Sequence, residues 1–174
     1  MDVAILGNNS LRIKGKMASI VVDPSTSTPK TEAQAIILLS ANPDFSDSEI
    51  EGSRINIKSP GEYEVSGIKI SGLSADGELV ARVDADGLKV TVGKGKAIER
   101  IQDKLEDCPV LVINADSEFN YSILASLEPN LLIVYGEKRA EVAKALGKES
   151  IDKANKFSFS ADKLPEDMQL VILE

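Results

Sequence analysis

The sequence predicts one α/β domain, residues 1–174, in which two packed β-sheets carry helices on their outer faces. Three observations predict it. The first half is built of short apolar or alternating runs with tight turns between them. The second half alternates apolar runs with segments of helical spacing. The length of 174 residues is enough for one core and too short for two.

The elements follow in order. Val3–Leu6, Leu11–Lys14 and Ser19–Asp23 read as strands, with Gly7-Asn8-Asn9-Ser10 and Lys14-Gly15-Lys16 as the turns between them. Pro24 to Lys30 is a Ser/Thr/Pro loop. Ala35–Leu39 is uninterrupted and apolar, as in a strand buried on both faces, and it ends in the loop Ser40-Ala41-Asn42-Pro43-Asp44. Loops at the carboxyl ends of such strands are where α/β folds build sites.

Arg54–Lys58, Tyr63–Val65 and Ile68–Ser71 continue the β-rich region, with Ser59-Pro60-Gly61-Glu62 as a turn. Leu79–Val83 and Leu88–Val92 form a hairpin closed by Asp84-Ala85-Asp86-Gly87, in which Asp-Gly supplies positive φ. From Lys96 the period turns helical, with Ile98, Ile101 and Leu105 on one side and Pro109 at the exit. Val110–Ile113 and Leu131–Val134 are buried strands, and Tyr121–Leu127 and Lys138–Leu146 are helices, the second capped by Gly147. Phe157–Phe159 and Leu170–Leu173 close the chain as strands.

Composition removes several function classes. The chain has no histidine, so no His-ligated zinc site and no Ser-His-Asp or Cys-His catalytic arrangement can be built from it. Its single cysteine, Cys108, excludes an intrachain disulfide and fits a reducing cytoplasm. A net charge of −8 repels polyanions, so neither nucleic acid nor an anionic membrane surface is an expected partner. No window approaches the roughly 18 apolar residues of a membrane span. The N-terminus lacks a basic stretch followed by a long apolar one, so it reads as a strand rather than a signal peptide.

Several segments, taken in this order, resemble the metallo-β-lactamase superfamily in its short, stand-alone branch of Zn-dependent hydrolases. Leu6-Gly7-Asn8-Asn9-Ser10 is similar to a Leu-Gly-His-x-Ser opening. Ile20-Val21-Val22-Asp23-Pro24 resembles a strand ending in Asp-Pro, and Ser59-Pro60-Gly61-Glu62-Tyr63-Glu64-Val65-Ser66-Gly67-Ile68 is the most specific match. The resemblance implies an αββα four-layer sandwich, here in a trimmed form.

It also implies a metal site, which this chain departs from. In the His-x-His-x-Asp-His signature after the buried strand, the histidine positions fall on Ser40, Asn42 and Phe45, and only Asp44 remains. The Gly-Asp after a central strand is Gly93-Lys94, the histidine after the first glycine is Asn8, and the last histidine region reads Leu132-Ile133-Val134-Tyr135-Gly136. Asn8, Ser40, Asn42, Asp44, Phe45, Lys94 and Tyr135 therefore mark a vestigial site.

Two expectations concern that site. Lys94 either projects toward Asp44, its ammonium standing in for the missing cation, or points to solvent. Phe45 fills the space that a metal and its histidine would occupy, leaving the site plugged or narrowed. Other chemistry is less supported. Asp44 with Asp47, Asn42 and Glu49 offers hard oxygen ligands without calcium-loop spacing, a Ser40–Lys94 pair lacks further context, and Cys108 reads as core.

The expected function is that of a cytoplasmic pseudoenzyme without cofactor, acting through a protein partner or as a homo-oligomer. The alternative is a metal-independent hydrolase or small-molecule binder that uses the former pocket. A plugged site with an exposed apolar patch would favour the first, and an open pocket with convergent polar groups the second. A histidine-bearing relative completing a heterodimer is a third arrangement that the resemblance permits.

Overall fold

The computed structural model describes residues 1–7, 9–147 and 152–174. Two sheets face each other. The first holds β1 (Asp2–Ile5), β2 (Leu11–Lys14), β3 (Ser19–Val22), β5 (Ala35–Ile37), β7 (Ile55–Ile57) and β15 (Lys156–Ser158), in the order β15-β1-β2-β3-β5-β7. The second holds β8 (Gly61–Val65), β9 (Ile68–Ala75), β10 (Glu78–Ala85), β11 (Leu88–Lys94), β12 (Val110–Asn114), β13 (Leu131–Tyr135), β14 (Asp152–Ala154) and β16 (Gln169–Leu173), in the order β14-β16-β13-β12-β11-β10-β9-β8. A two-stranded ribbon pairs β4 (Thr31–Glu32) with β6 (Ile50–Glu51).

Local sequence explains most of these elements. In β2, Leu11 and Ile13 are buried while Lys14 is exposed, the alternation of a strand with one face inward. β12 and β13 bury all five residues each, because both their faces are covered. β8 to β11 run antiparallel and β11-β12-β13-β16 parallel, so the hairpins precede the β-α-β units as the sequence order predicts. The hairpin of β10 and β11 turns at Asp86-Gly87, with φ of 55° and 74°, two left-handed residues as a type I′ turn requires. β10 runs two residues further toward the turn than the run Leu79–Val83 suggests, to Ala85, while β11 starts at Leu88 as expected, and β8 begins at Gly61 inside the predicted turn.

The inner faces interdigitate as the main core. Leu11, Ile13, Ile20, Val22 and Ile37 of the first sheet meet Val83, Val90, Val112 and Ile133 of the second. Each such side chain, fully buried, contributes about 1.5–3 kcal/mol. The outer face of the second sheet, with Leu111, Ile113, Leu132 and Val134, is covered by α1 (Gly95–Ile101), α2 (Ser122–Ser126) and α3 (Arg139–Ala145). The outer face of the first sheet is different. Val21, Ala33, Ile36 and Ile50 form a small cluster there, flanked by Leu6, Leu38 and Phe45, and the β4–β6 ribbon supplies part of it. Among the described residues, helices cover one outer face and a ribbon and loops the other: this is the trimmed sandwich. No described helix is long and apolar enough to cross a membrane.

Candidate functional site

The carboxyl ends of strands from both sheets meet at one edge of the sandwich. β3 is followed at once by Asp23, and β5 by Leu38-Leu39-Ser40. In the second sheet, β11, β12 and β13 end on Lys94, Asn114 and Tyr135, and their parallel register places Lys94 beside Asn114 and Asn114 beside Tyr135. Three polar residues thus sit in one row on the inner face, continuing the row of Val92, Val112 and Ile133 below them. A cavity of about 300 Å³ opens over this edge. Asp23, Ser40, Asn42 and Asp44 line it from the first sheet, and Lys94, Asn114 and Asp116 from the second. Asn9 and the Ser25-Thr26-Ser27 loop complete the wall.

The charges of the cavity are ordered around Lys94. Its Nζ lies 2.9 Å from Asp116 Oδ2 and 3.8 Å from Glu78 Oε1, with its side chain 20% exposed. Burial works against the Lys94 charge, but the hydrogen bond to Asp116 and the charges of Asp116, Glu78 and Asp23 hold its ammonium above the ordinary lysine value. Glu78 is shared with Arg100, 3.3 Å away, and Asp116 Oδ1 accepts a hydrogen bond from Ser117 Oγ at 3.1 Å.

Asp23 is the buried carboxylate of the group. Its Oδ1 accepts the Leu39 N–H at 2.8 Å, which ties the end of β3 to the segment after β5. Desolvation pushes its pKa from 3.8 to about 6, with the Leu39 N–H and Lys94 pulling against it and Asp116 and Glu78 adding to it. Tyr135 is fully buried beneath the cavity. Burial and the charges of Asp23 and Asp116 push its phenol well above the ordinary value. The Tyr135 hydroxyl and the Asn114 Oδ1 have no hydrogen-bond partner among the described residues.

The two sequence expectations for this site are corrected here. The Lys94 ammonium is neither paired with Asp44 nor free in solvent; it is held by Asp116 and Glu78. Asp116 lies two residues beyond β12, out of reach of any reading based on local sequence. The site is also not plugged by Phe45. Phe45 forms a bridge with Ser25 and packs with Leu6 and Leu38 on the outer face of the first sheet, so its ring lies away from the cavity and the cavity is open. The loop is steered there by backbone bonds from Thr26 N–H to Asp44 O at 3.3 Å and from Ser46 N–H to Pro24 O at 3.4 Å.

Of the other predicted residues, Ser40, Asn42 and Asp44 reach the cavity together with Lys94, Tyr135 lies under it, and Asn8 falls outside the described residues. Ser40 Oγ donates to Ala41 O at 3.5 Å and makes no bond to Lys94. Asn42 Oδ1 accepts the Asp44 N–H at 2.9 Å, an Asx turn that shapes the rim. Asp47 accepts from Asn56 Nδ2 at 3.2 Å. Cys108 is buried, with Thr91 Oγ1 donating to its sulfur at 3.4 Å. Sequence reasoning missed Asp23, Asn114, Asp116 and Glu78 as site residues. For two of them a signal existed: Asp23 and Asn114 are the first polar residues after the apolar runs Ile20-Val21-Val22 and Val110–Ile113.

The residues present do not fit the metal that the resemblance implies. The cavity already contains a lysine ammonium bonded to its nearest carboxylate, and a second cation there would face that charge at short range. The positions that would carry imidazoles hold a hydroxyl, an amide and a ring turned outward. Among the described residues no three His, Cys, Asp or Glu side chains converge into a metal-holding group.

No protein-family profile matches this sequence, and no curated protein matches it. Solved structures do. The chain is similar to a Thermotoga maritima protein proposed to be a Zn-dependent hydrolase of the metallo-β-lactamase superfamily, with a TM-score of 0.77 and 18% identity over 100% of this chain and 99% of that one. It is also similar to a proposed metal-dependent hydrolase from Parabacteroides distasonis, with a TM-score of 0.61 and 17% identity over 99% and 93%. The CmlA β-hydroxylase E377D mutant matches with a TM-score of 0.63 and 8% identity over 99% of this chain and 52% of that one. At these identities the likeness speaks to architecture, and it covers the chain from end to end. The chain therefore has the metallo-β-lactamase fold.

Proposed function

We propose that this protein binds a small polar molecule in the cavity between Asp23, Ser40, Asn42, Asp44, Lys94 and Asn114, without a histidine-bound metal. The observation that carries this reading is an open, concave site whose polar groups converge from both sheets, with Lys94 tied inside it by Asp116 and Glu78. The docking of a protein partner or a second copy has less support. Met17 is the one large hydrophobic side chain strongly exposed among the described residues, which is no apolar patch.

Binding, rather than catalysis, is what the groups favour. A lysine acting as general base has to give up its proton first. Here Asp116, Glu78 and Asp23 hold the Lys94 ammonium charged, and Ser40 is turned to a backbone carbonyl.

Two measurements on the untagged chain test the reading. Elemental analysis after incubation with zinc and manganese and thorough desalting should find less than about a tenth of an ion per chain, since the chain has no imidazole and its one thiol, Cys108, is buried away from the cavity. A fragment set of small polar molecules, followed by amide chemical shifts, should perturb Leu39, Ser40, Asn42 and Asn114 saturably. A stoichiometric retained ion, or shifts clustering away from these residues, would overturn the reading.

A further inference from the structure

We infer that the cavity is the middle of a cleft crossing the whole carboxyl edge of the sandwich, and that its ligand is a short peptide lying extended along that edge. The inference rests on the small-molecule reading, since the polar group held in the central cavity is then one unit of the peptide. Two further cavities adjoin the central one, on opposite sides. Towards β1 and β16, Asn9 is shared with a cavity of about 590 Å³ lined by Ile5, Gly136 and Arg139. Towards β7 and β10, Ser40, Ala41 and Asn42 are shared with a cavity of about 300 Å³ lined by Leu38, Phe45 and Lys58. The strand order makes these one row. The first sheet runs β1-β2-β3-β5-β7 and the second β16-β13-β12-β11-β10 past the same positions. β1, β3, β5 and β7 end at this edge, as do β16, β13, β12 and β11. β10 begins there, where its Glu78 reaches Lys94. Five strands leave four gaps of about 4.8 Å, a span of about 19 Å, which is the length of about six extended residues.

The chemistry changes along the cleft, and that selects the ligand class. At the β10 end Leu38 and Phe45 are partly buried apolar side chains, with the exposed Lys58 beside them. Phe45, turned away from the central cavity, is thus the apolar wall of the next one. The centre carries Asp23, Asp44 and Lys94 with the hydroxyls of the Ser25-Thr26-Ser27 loop. At the β16 end the Arg139 guanidinium donates to Gly136 O at 2.9 Å and lies 3.7 Å from Glu174. A ligand that fits an apolar, a polar and an ion-paired compartment in a row has units that differ from one to the next, as peptide side chains do. An oligosaccharide would lay hydroxyls against Leu38 and Phe45, where they find no partner. A nucleic-acid strand would bring its phosphates against three carboxylates, Asp23, Asp44 and Asp116. An extended peptide backbone offers both donors and acceptors to a centre that holds both.

The test uses the full chain, labelled with nitrogen-15, and acetylated, amidated hexapeptide pools with leucine fixed at the first or at the sixth position. The same pools with serine in its place, dipeptide pools and maltohexaose are the comparators. The backbone amides of Gly136, Asn42 and Gly77 report one cavity each. One of the leucine pools is expected to move all three along a single titration curve, about tenfold more tightly than its serine counterpart for the burial of one leucine side chain. It should also exceed the dipeptide pools by about tenfold or more, because the linked units bind as one. Several results would overturn the peptide cleft and leave the small-molecule reading standing: hexapeptides that move Asn42 alone or none of the three, hexapeptides no tighter than dipeptides, leucine and serine pools of equal affinity, or maltohexaose binding more tightly than any peptide pool. If neither the peptides nor any member of the fragment set moves Asn42, both readings fail together.

Discussion

Replacing Asp23 by Asn removes the charge from a carboxylate that the fold keeps buried. Asp23 is 8% exposed, it makes one hydrogen bond to a backbone N–H, and its pKa stands at about 6 against 3.8 for an unburied aspartate. The raised value means that between pH 4 and 6 the folded protein holds a proton which the unfolded chain releases. Asp23's contribution to stability is therefore fully present at low pH and is lost as pH rises through about 6. Above that, keeping the group ionised in the folded state costs about 3 kcal/mol.

Asn keeps the oxygen that accepts the Leu39 N–H and lacks the charge. Asp23→Asn should thus be more stable than the wild type by about 2–3 kcal/mol at pH 7.5, or about 5–10 °C in Tm for a chain of this size. The advantage should shrink to within about 0.5 kcal/mol near pH 4. Urea unfolding of both proteins at half-unit intervals from pH 4 to 8 measures the difference, and other titrating groups cancel from it. A variant less stable than the wild type at pH 7.5, or a gap that does not change with pH, would refute the account of Asp23 as a desolvated charge.

Lys94→Met leaves Asp116, Glu78 and Asp23 without their shared cation and should cost about 1–2 kcal/mol at pH 7.5, less than a fully buried pair because the lysine is partly exposed; the cost should fall at pH 5, where Asp23 takes up a proton, and urea midpoints at the two pH values check it. Gly136→Ala places a Cβ 2.6 Å from Asn114 Oδ1 and 2.9 Å from the Ala115 carbonyl at a φ of 96°. It should destabilise by about 2–4 kcal/mol. Gly77→Ala, with φ of 84° and open space around it, should lose only about 1–2 kcal/mol for the left-handed backbone, so a thermal-melt comparison separates clash from conformation. Tyr135→Phe removes a buried hydroxyl that lacks a partner and should raise stability by about 1 kcal/mol; a loss of that size in the same assay would contradict the orphaned state of the group.

Residue types and local spacing alone determined a good deal. The absence of histidine removes His-ligated metal chemistry whatever the fold. Strand and turn signals act over a few residues, since side chains alternate with period 2 and Asp-Gly pairs adopt positive φ. Leu11–Lys14, the hairpin at Asp86-Gly87 and the four-residue apolar runs Val110–Ile113 and Leu131–Val134 were therefore legible one by one. Less of the site was. Asp23, Leu39, Lys94, Asn114 and Tyr135 each end or follow a different strand, and only the parallel register of the second sheet and its packing on the first bring them together. The partner of Lys94 is set by the course of the chain after β12, which carries Asp116 to it. The direction of Phe45 is set by the bridge to Ser25, which turns the ring outward. Which charges meet, and whether the cavity stands open, depend on distances between segments far apart in the chain, and those exist only once the two sheets have packed.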